Sequence, residues 1–327
     1  MKGARDIFAF LADATRRGER GALVTLTDVT GSSSRAPGTH MAVTETGAWR
    51  GSFSGGCVEA AVIGEAKRII ADGRAECVRF GAGSRYIDIR LPCGGGVDLL
   101  FSPNPDAAAL EVATRELDSR QSFALRLGSD GTIAPIDDAP AGWDGDAYIV
   151  RHDPDLRLLI VGHGAETLAL TRQALSYGAR VDLLSPDAAI VAEARATGAD
   201  VWQLTSPARS PRLVADPHSA IIFLFHDHDW EGELLAQALE SDAFFIGAMG
   251  SRRTHAARLT DLARRGVPAA DITRLVGPVG LIPATRDPDT LALSVLSQVV
   301  ARHGDWAAMR DDCHAPPRRM AIGEFSS

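Results

Sequence analysis

Residues 156–167 read L-R-L-L-I-V-G-H-G-A-E-T, an apolar run that ends on a Gly-x-Gly turn and passes into a helix start. A short run of this kind, with no polar alternation, suits a strand buried on both faces of a parallel sheet. The same rhythm repeats outward from it. A-R-V-D-L-L-S (179–185) predicts the next strand, S-A-I-I-F-L-F (219–225) another and A-F-F-I-G-A-M-G (243–250) a further one, with helical stretches between. That β-α-β-α order predicts a Rossmann-like, doubly wound parallel sheet over residues 153–304, with a loosely held tail at 305–327.

Residues 1–152 have a different texture and predict an N-terminal α/β domain. A helix is expected over 4–17, and A-L-V-T-L-T-D-V-T (22–30), rich in β-branched residues, reads as a strand. The loop G-S-S-S-R-A-P-G (31–38) follows, then a hairpin of 41–44 and 48–53 around Thr46-Gly47. After Cys57, Val58, Val62, Ile63, Ala66, Ile69 and Ile70 share one face at helical spacing. A strand is expected near 76–80, and two more around a glycine turn within 87–101. From about 102 to 152 short apolar runs alternate with turn clusters, which reads as the end of the domain and a connector.

Composition narrows the function classes. A chain of 327 residues can bury two cores. The formal net charge of −8 and the lack of a basic stripe argue against a nucleic-acid partner. No apolar stretch approaches the ~20 residues that span a bilayer, so no membrane association is expected. Four cysteines without a C-x-x-C pair read as reduced thiols, consistent with a cytoplasmic location.

Two places carry chemistry. In G-S-F-S-G-G-C-V-E (51–59), Gly55 and Gly56 lead into Cys57 at a helix entrance, where the positive end of the macrodipole favours a thiolate. The glycines leave backbone N–H groups open to an anion, and Glu59 in the first turn can accept a hydrogen bond or a proton. A second glycine-flanked thiol, Cys93 followed by Gly94, lies thirty-six residues on, and Ser33 and Arg35 belong to a loop of donors. These residues read either as a cradle for an anionic, thiophilic ligand or as two buried cysteines beside turn glycines. The other place is the turn with Gly162 and Gly164, which suits a phosphate at a helix N-terminus. Thr167 stands where the dinucleotide fingerprint has glycine or alanine, and Ser185 stands where an acid ends the second strand, so NAD(P) is weakly supported. His226 and His228 would point to one side if the strand from 219 continued through them, as two metal ligands do, but no third ligand is identifiable.

Three motifs, G-S-S-S-R-A-P-G-T-H-M-A-V-T, G-S-F-S-G-G-C-V-E-A-A-V and P-C-G-G-G-V-D, resemble the amino-terminal domain of the xanthine dehydrogenase accessory proteins, the XdhC/CoxI family. L-L-I-V-G-H-G, F-H-D-H-D-W-E-G-E-L-L and F-I-G-A-M-G-S-R-R-T-H resemble its carboxyl half, so the similarity spans about residues 15–303. The resemblance implies a cytoplasmic maturation factor, not a turnover catalyst. Such a factor binds the molybdopterin-type molybdenum cofactor as cargo, protects it during sulfuration and passes it to a molybdenum hydroxylase apo-enzyme. A homodimer and a cysteine desulfurase partner are further family expectations. Cys57 would hold the cofactor foremost and Cys93 second, with Gly55, Gly56, Ser33 and Arg35 facing its anionic part. The family's acid at the end of the second Rossmann strand is Ser185 here, and its G-L-D-I-G-A stretch appears as G-L-I-P-A-T (280–285). The rival readings are an NAD(P)-dependent oxidoreductase on the second domain and a pure interaction protein.

Overall fold

A computed structural model describes residues 3–53, 58–84, 95–226 and 228–314, without the side chains of 228 and 311–314. The chain divides into two compact units, one running to Pro154 and the other spanning Asp155–Arg310.

In chain order the first unit holds α1 (Ala4–Arg16), β1 (Gly21–Thr30), β2 (His40–Thr44), β3 (Trp49–Gly51), α2 (Glu59–Asp72), β4 (Glu76–Gly81), β5 (Gly96–Pro103) and α3 (Ala107–Asp118). Four more strands follow: β6 (Phe123–Gly128), β7 (Ile133–Ile136), β8 (Gly142–Asp144) and β9 (Ala147–His152). The strands form a five-stranded sheet of order β3-β2-β1-β5-β4 and a four-stranded sheet of order β7-β6-β9-β8. Pairing in both is antiparallel. Helix α2 buries Val62, Ala66 and Ile69 with Val58 against Val24, Leu26, Met41, Phe80 and Leu99. Leu23, Ala42 and Leu100 pack instead with α1, α3 and the four-stranded sheet, as strand alternation requires. The stretch 102–152 is thus not a connector in form: it completes β5 and adds a helix and a sheet. Strands of four and three residues, β7 and β8, are too short to show a period in the sequence.

Two histidines fill the seam between these sheets. His40 on β2 and His152 on β9 are fully buried, with Nε2 atoms 3.2 Å apart and rings stacked at 5.1 Å. Thr25 Oγ1 lies 2.8 Å from His40 Nδ1, and Phe8 and Phe123 pack on the His152 ring. Burial favours the neutral imidazoles, so the pKa of His40 falls to about 3 and that of His152 falls well below its ordinary value.

The second unit contains β10 (Arg157–Gly162), α4 (Ala165–Tyr177), β11 (Arg180–Ser185), α5 (Ala188–Arg195), β12 (Asp200–Gln203) and β13 (Ser219–Leu224). Then come α6 (Gly232–Leu239), β14 (Phe245–Ala248), α7 (Arg252–Arg264), α8 (Ala269–Ile272), β15 (Leu275–Val276) and α9 (Pro288–His314). All six strands are parallel, in the order β12-β11-β10-β13-β14-β15. This is the doubly wound Rossmann arrangement, whose strand order reverses between β10 and β13. Both faces are covered: Leu158 and Ile160 join one core with α4, α5 and α9, while Leu159 and Val161 join the other with α6 and α7. That two-sided burial is why β10 reads as an unbroken apolar run. Helix α9 carries on to His314, past residue 304, so the start of the expected tail is helical.

Two outcomes are expected. Because both folded-state histidine pKa values are depressed, the unfolded chain takes up protons first as pH falls. Stability is therefore full above about pH 6.5 and falls by up to about 1.4 kcal/mol per imidazole for each unit below it, toward about pH 3. Urea unfolding at neutral pH and at mildly acid pH measures the loss, and His152→Phe should remove part of the slope; an unchanged slope would refute the assignment. In the second unit, a Cβ on Gly162 would stand 2.8 Å from the Leu224 carbonyl carbon and closer still to its oxygen. Gly162→Ala should thus cost about 1–3 kcal/mol, read as a lower urea midpoint with an unchanged m-value.

Candidate functional site

In the first unit the donor loop and the helix entrance come together. Arg35 Nε donates to the Ser52 carbonyl at 3.2 Å, Ser34 Oγ donates to the Phe53 carbonyl at 3.2 Å, and the Arg35 N–H donates to Ser33 Oγ. Arg35 is exposed, one edge of its guanidinium is anchored through Nε, and its Nη atoms have no partner among the described residues. Glu59 Oε1 accepts from Ser52 Oγ at 2.7 Å and from Phe53 N–H at 3.0 Å, and Oε2 accepts from Val58 N–H at 3.2 Å. Its residue is only 8% exposed, so this carboxylate is a structural acceptor that ties β3 to the start of α2. On the other side of the loop, a Cβ on Gly31 would stand 3.2 Å from the Gly95 Cα.

The loop therefore borders both the residues that lead into 54–57 and the residue that follows 85–94. Of the sequence-derived site, Ser33, Arg35 and Glu59 meet around Ser52 and Phe53. Gly55, Gly56, Cys57, Cys93 and Gly94 lie outside the described residues.

In the second unit Gly162 ends β10 and Gly164, at φ 88°, precedes the first residue of α4. That left-handed backbone is why a glycine is needed there. The rest of the dinucleotide fingerprint is put to other uses. Thr167 is fully buried and its hydroxyl donates to the His163 carbonyl. Ser185 is fully buried and its Oγ accepts from Asp187 N–H. The Asp187 carboxylate caps α5 by accepting from the N–H groups of Ala189 and Ile190. No acid is left at the end of β11 for a ribose.

Glu166, the second residue of α4, holds its Oε2 3.0 Å from where a Gly164 Cβ would be, and its Oε1 3.5 Å from His226 Nε2. A negative charge thus stands over the turn where a phosphate would approach. Strand β13 stops at Leu224 and His228–Trp230 form a short 3-10 turn, so the strand alternation invoked for His226 and His228 does not extend to them. Among the described residues no group of three metal-ligating side chains occurs.

The wide opening lies beside that turn. A cleft of about 1080 Å³ at the carboxyl ends of the strands is lined by Glu166, His226, Met249–Arg252, Thr254 and Pro278–Asp287, with Phe225 and Leu291. Arg252, the first residue of α7, borders this cleft, whose far wall is the long chain return from β15 to α9.

Comparison with known proteins follows this geometry. Residues 14–81 match the model of the XdhC and CoxI family, and residues 158–299 match that of the XdhC Rossmann domain. The molybdenum cofactor insertion chaperone PaoD of Escherichia coli (strain K12) is 34% identical over 301 residues, which is 91% of this chain and 88% of that protein. A crystal structure of a Bacillus halodurans chain described as a xanthine dehydrogenase covers 97% of this chain and 98% of its own, with a TM-score of 0.75 at 21% identity. That likeness is one of fold. On the sequence matches over both units, the chain belongs to the XdhC and CoxI family.

Proposed function

We propose that this chain binds a molybdopterin-type molybdenum cofactor as cargo, protects it during sulfuration and delivers it to an apo-enzyme of the xanthine dehydrogenase type. The observation that carries the reading is the 34% identity, over nine-tenths of the chain, to a protein named as a molybdenum cofactor insertion chaperone. The donor loop supports it. The cargo presents a phosphate and soft sulfur and molybdenum centres, and an exposed Arg35 anchored on one edge suits the anionic part. Cys57 and Cys93 would supply the soft donors, a role that rests on their sequence setting and the family. A chaperone needs reversible contacts more than reactive ones, and Glu59 fits that picture as a brace, not a base. A cytoplasmic homodimer, with a cysteine desulfurase as a further partner, belongs to the same proposal.

Chain purified from cells that make molybdopterin is expected to release it on denaturation, measured by the fluorescence of the oxidised pterin. Cys57→Ala and Arg35→Ala should each retain about tenfold less, the scale of one lost charge-assisted contact, with the Arg35 variant's unfolding midpoint unchanged. Full retention in both variants would remove the loop and the thiol from the site. Separately, Glu59→Ala strands buried donors and should lower the unfolding free energy by about 3 kcal/mol in a urea titration.

A further inference from the structure

We infer that Arg79, on β4, is a positioning residue of the cargo site: it ties the start of the donor loop to both flanks of the segment that carries Cys93. The inference rests on the proposed function and deepens it.

The sheet register brings three chain ends to one level. Thr30, the last residue of β1, pairs with Gly96, and Gly96 pairs on its other side with Gly81, the last residue of β4. The donor loop leaves the sheet from Thr30. The chain leaves it again after Gly81, and Gly95, two residues past Cys93, leads back into β5. Beyond this rung one backbone bond joins the β4 and β5 ends, with Ala82 N–H donating to the Gly95 carbonyl at 2.9 Å. Arg79 adds the tie to the β1 side.

Arg79 stands two residues before Gly81 and opposite Asp98. Residues two apart on a strand share a face, as do residues directly opposite, so Arg79, Gly81, Gly96, Asp98 and Thr30 belong to one side of the sheet. Along that side the guanidinium is held at all three nitrogens. Nη1 donates to Asp98 Oδ2 at 2.9 Å, Nε to the Ala82 carbonyl at 2.7 Å and Nη2 to Thr30 Oγ1 at 2.9 Å. A rigid planar fork can join three separate segments in this way, and a point charge cannot. Gly96 makes the room: a Cβ there would stand 2.8 Å from Nη2 and 2.8 Å from the Ala82 oxygen. The middle strand of the three thus carries no side chain where the guanidinium crosses it.

Arg79 reaches the cargo only through the loop. Its charge is matched by Asp98, so the cargo's anion stays with Arg35. From Thr30 the chain runs against Gly95, where a Cβ would clash with the Thr30 carbonyl and stand 3.4 Å from that of Ser32. Further along, Ser34 and Arg35 are anchored on the Phe53 and Ser52 carbonyls. The loop is therefore fixed at its start by Arg79 and near its middle by the hairpin exit, and the direction in which Arg35 is presented depends on both.

The test has two readouts. In the unloaded full chain, hydrogen exchange over residues 31–38 should quicken about tenfold in Arg79→Met and in Arg79→Lys, while α1 and the second unit keep wild-type rates. Lysine keeps a charge beside Asp98 but cannot span the three acceptors, so wild-type exchange in Arg79→Lys would overturn the positioning role. A rise spread evenly over the first unit would mark a merely structural residue and overturn it too. The second readout is molybdopterin retention by the full chain. Arg79→Met should lose about tenfold by itself but less than about twofold in an Arg35→Ala background, because it acts through the same loop. Additive losses, or unchanged retention in Arg79→Met, overturn the link to cargo. Arg126→Ala, which breaks an exposed ion pair with Asp146, should move neither readout. A wild-type chain that carries no molybdopterin would defeat the proposed function alone, since the exchange rates still decide whether Arg79 holds the loop.

Discussion

Burying a carboxylate is costly unless its lone pairs are filled, and Glu59 meets that condition with donors drawn from the chain just ahead of its own helix. The geometry of the first unit's site follows. Helix α2 can pack its apolar face on the five-stranded sheet only if its first turn lies where Ser52 and Phe53 end the β2–β3 hairpin. Once those two residues are fixed, their carbonyls become the acceptors that anchor Ser34 and Arg35. One acid thus sets the helix start, the hairpin exit and the orientation of an exposed guanidinium. The glycine contact between 31 and 95 then closes the loop from the other side.

The second unit shows how a common fold can keep its backbone and change its electrostatics. Two helices, α4 and α7, present N-termini at the carboxyl end of the parallel sheet. The first follows a glycine turn of dinucleotide type, yet the Glu166 carboxylate stands over that turn and Asp187 is spent on capping the next helix. The second lacks any such motif in sequence, and Arg252 from its first turn lines a cleft shared with Arg286 from the segment leading into α9.

How much of this was legible in the residues varies with the physics. The strands of the parallel sheet were readable because both faces are buried, so Leu158 to Val161 form a continuous apolar run. The α2 face was readable because a half-buried helix leaves a periodic record, and five of its six expected face residues are buried, Ile63 being partly so. The four-stranded sheet was not, because its edge strands are short and half-exposed. Nor was the buried histidine pair, whose members lie 112 residues apart and gain their character only from what surrounds them.

By itself, then, the sequence determined the α/β class, the parallel Rossmann-like character of the second unit and the family, because these rest on local periodicity and on short ordered motifs. Only the tertiary structure decided the roles of individual polar residues. Glu59 became a brace, Asp187 a cap and Glu166 a guard over its own turn. The reason is that a charged group's role depends on which donors and charges lie within a few ångströms, and those neighbours come from distant parts of the chain.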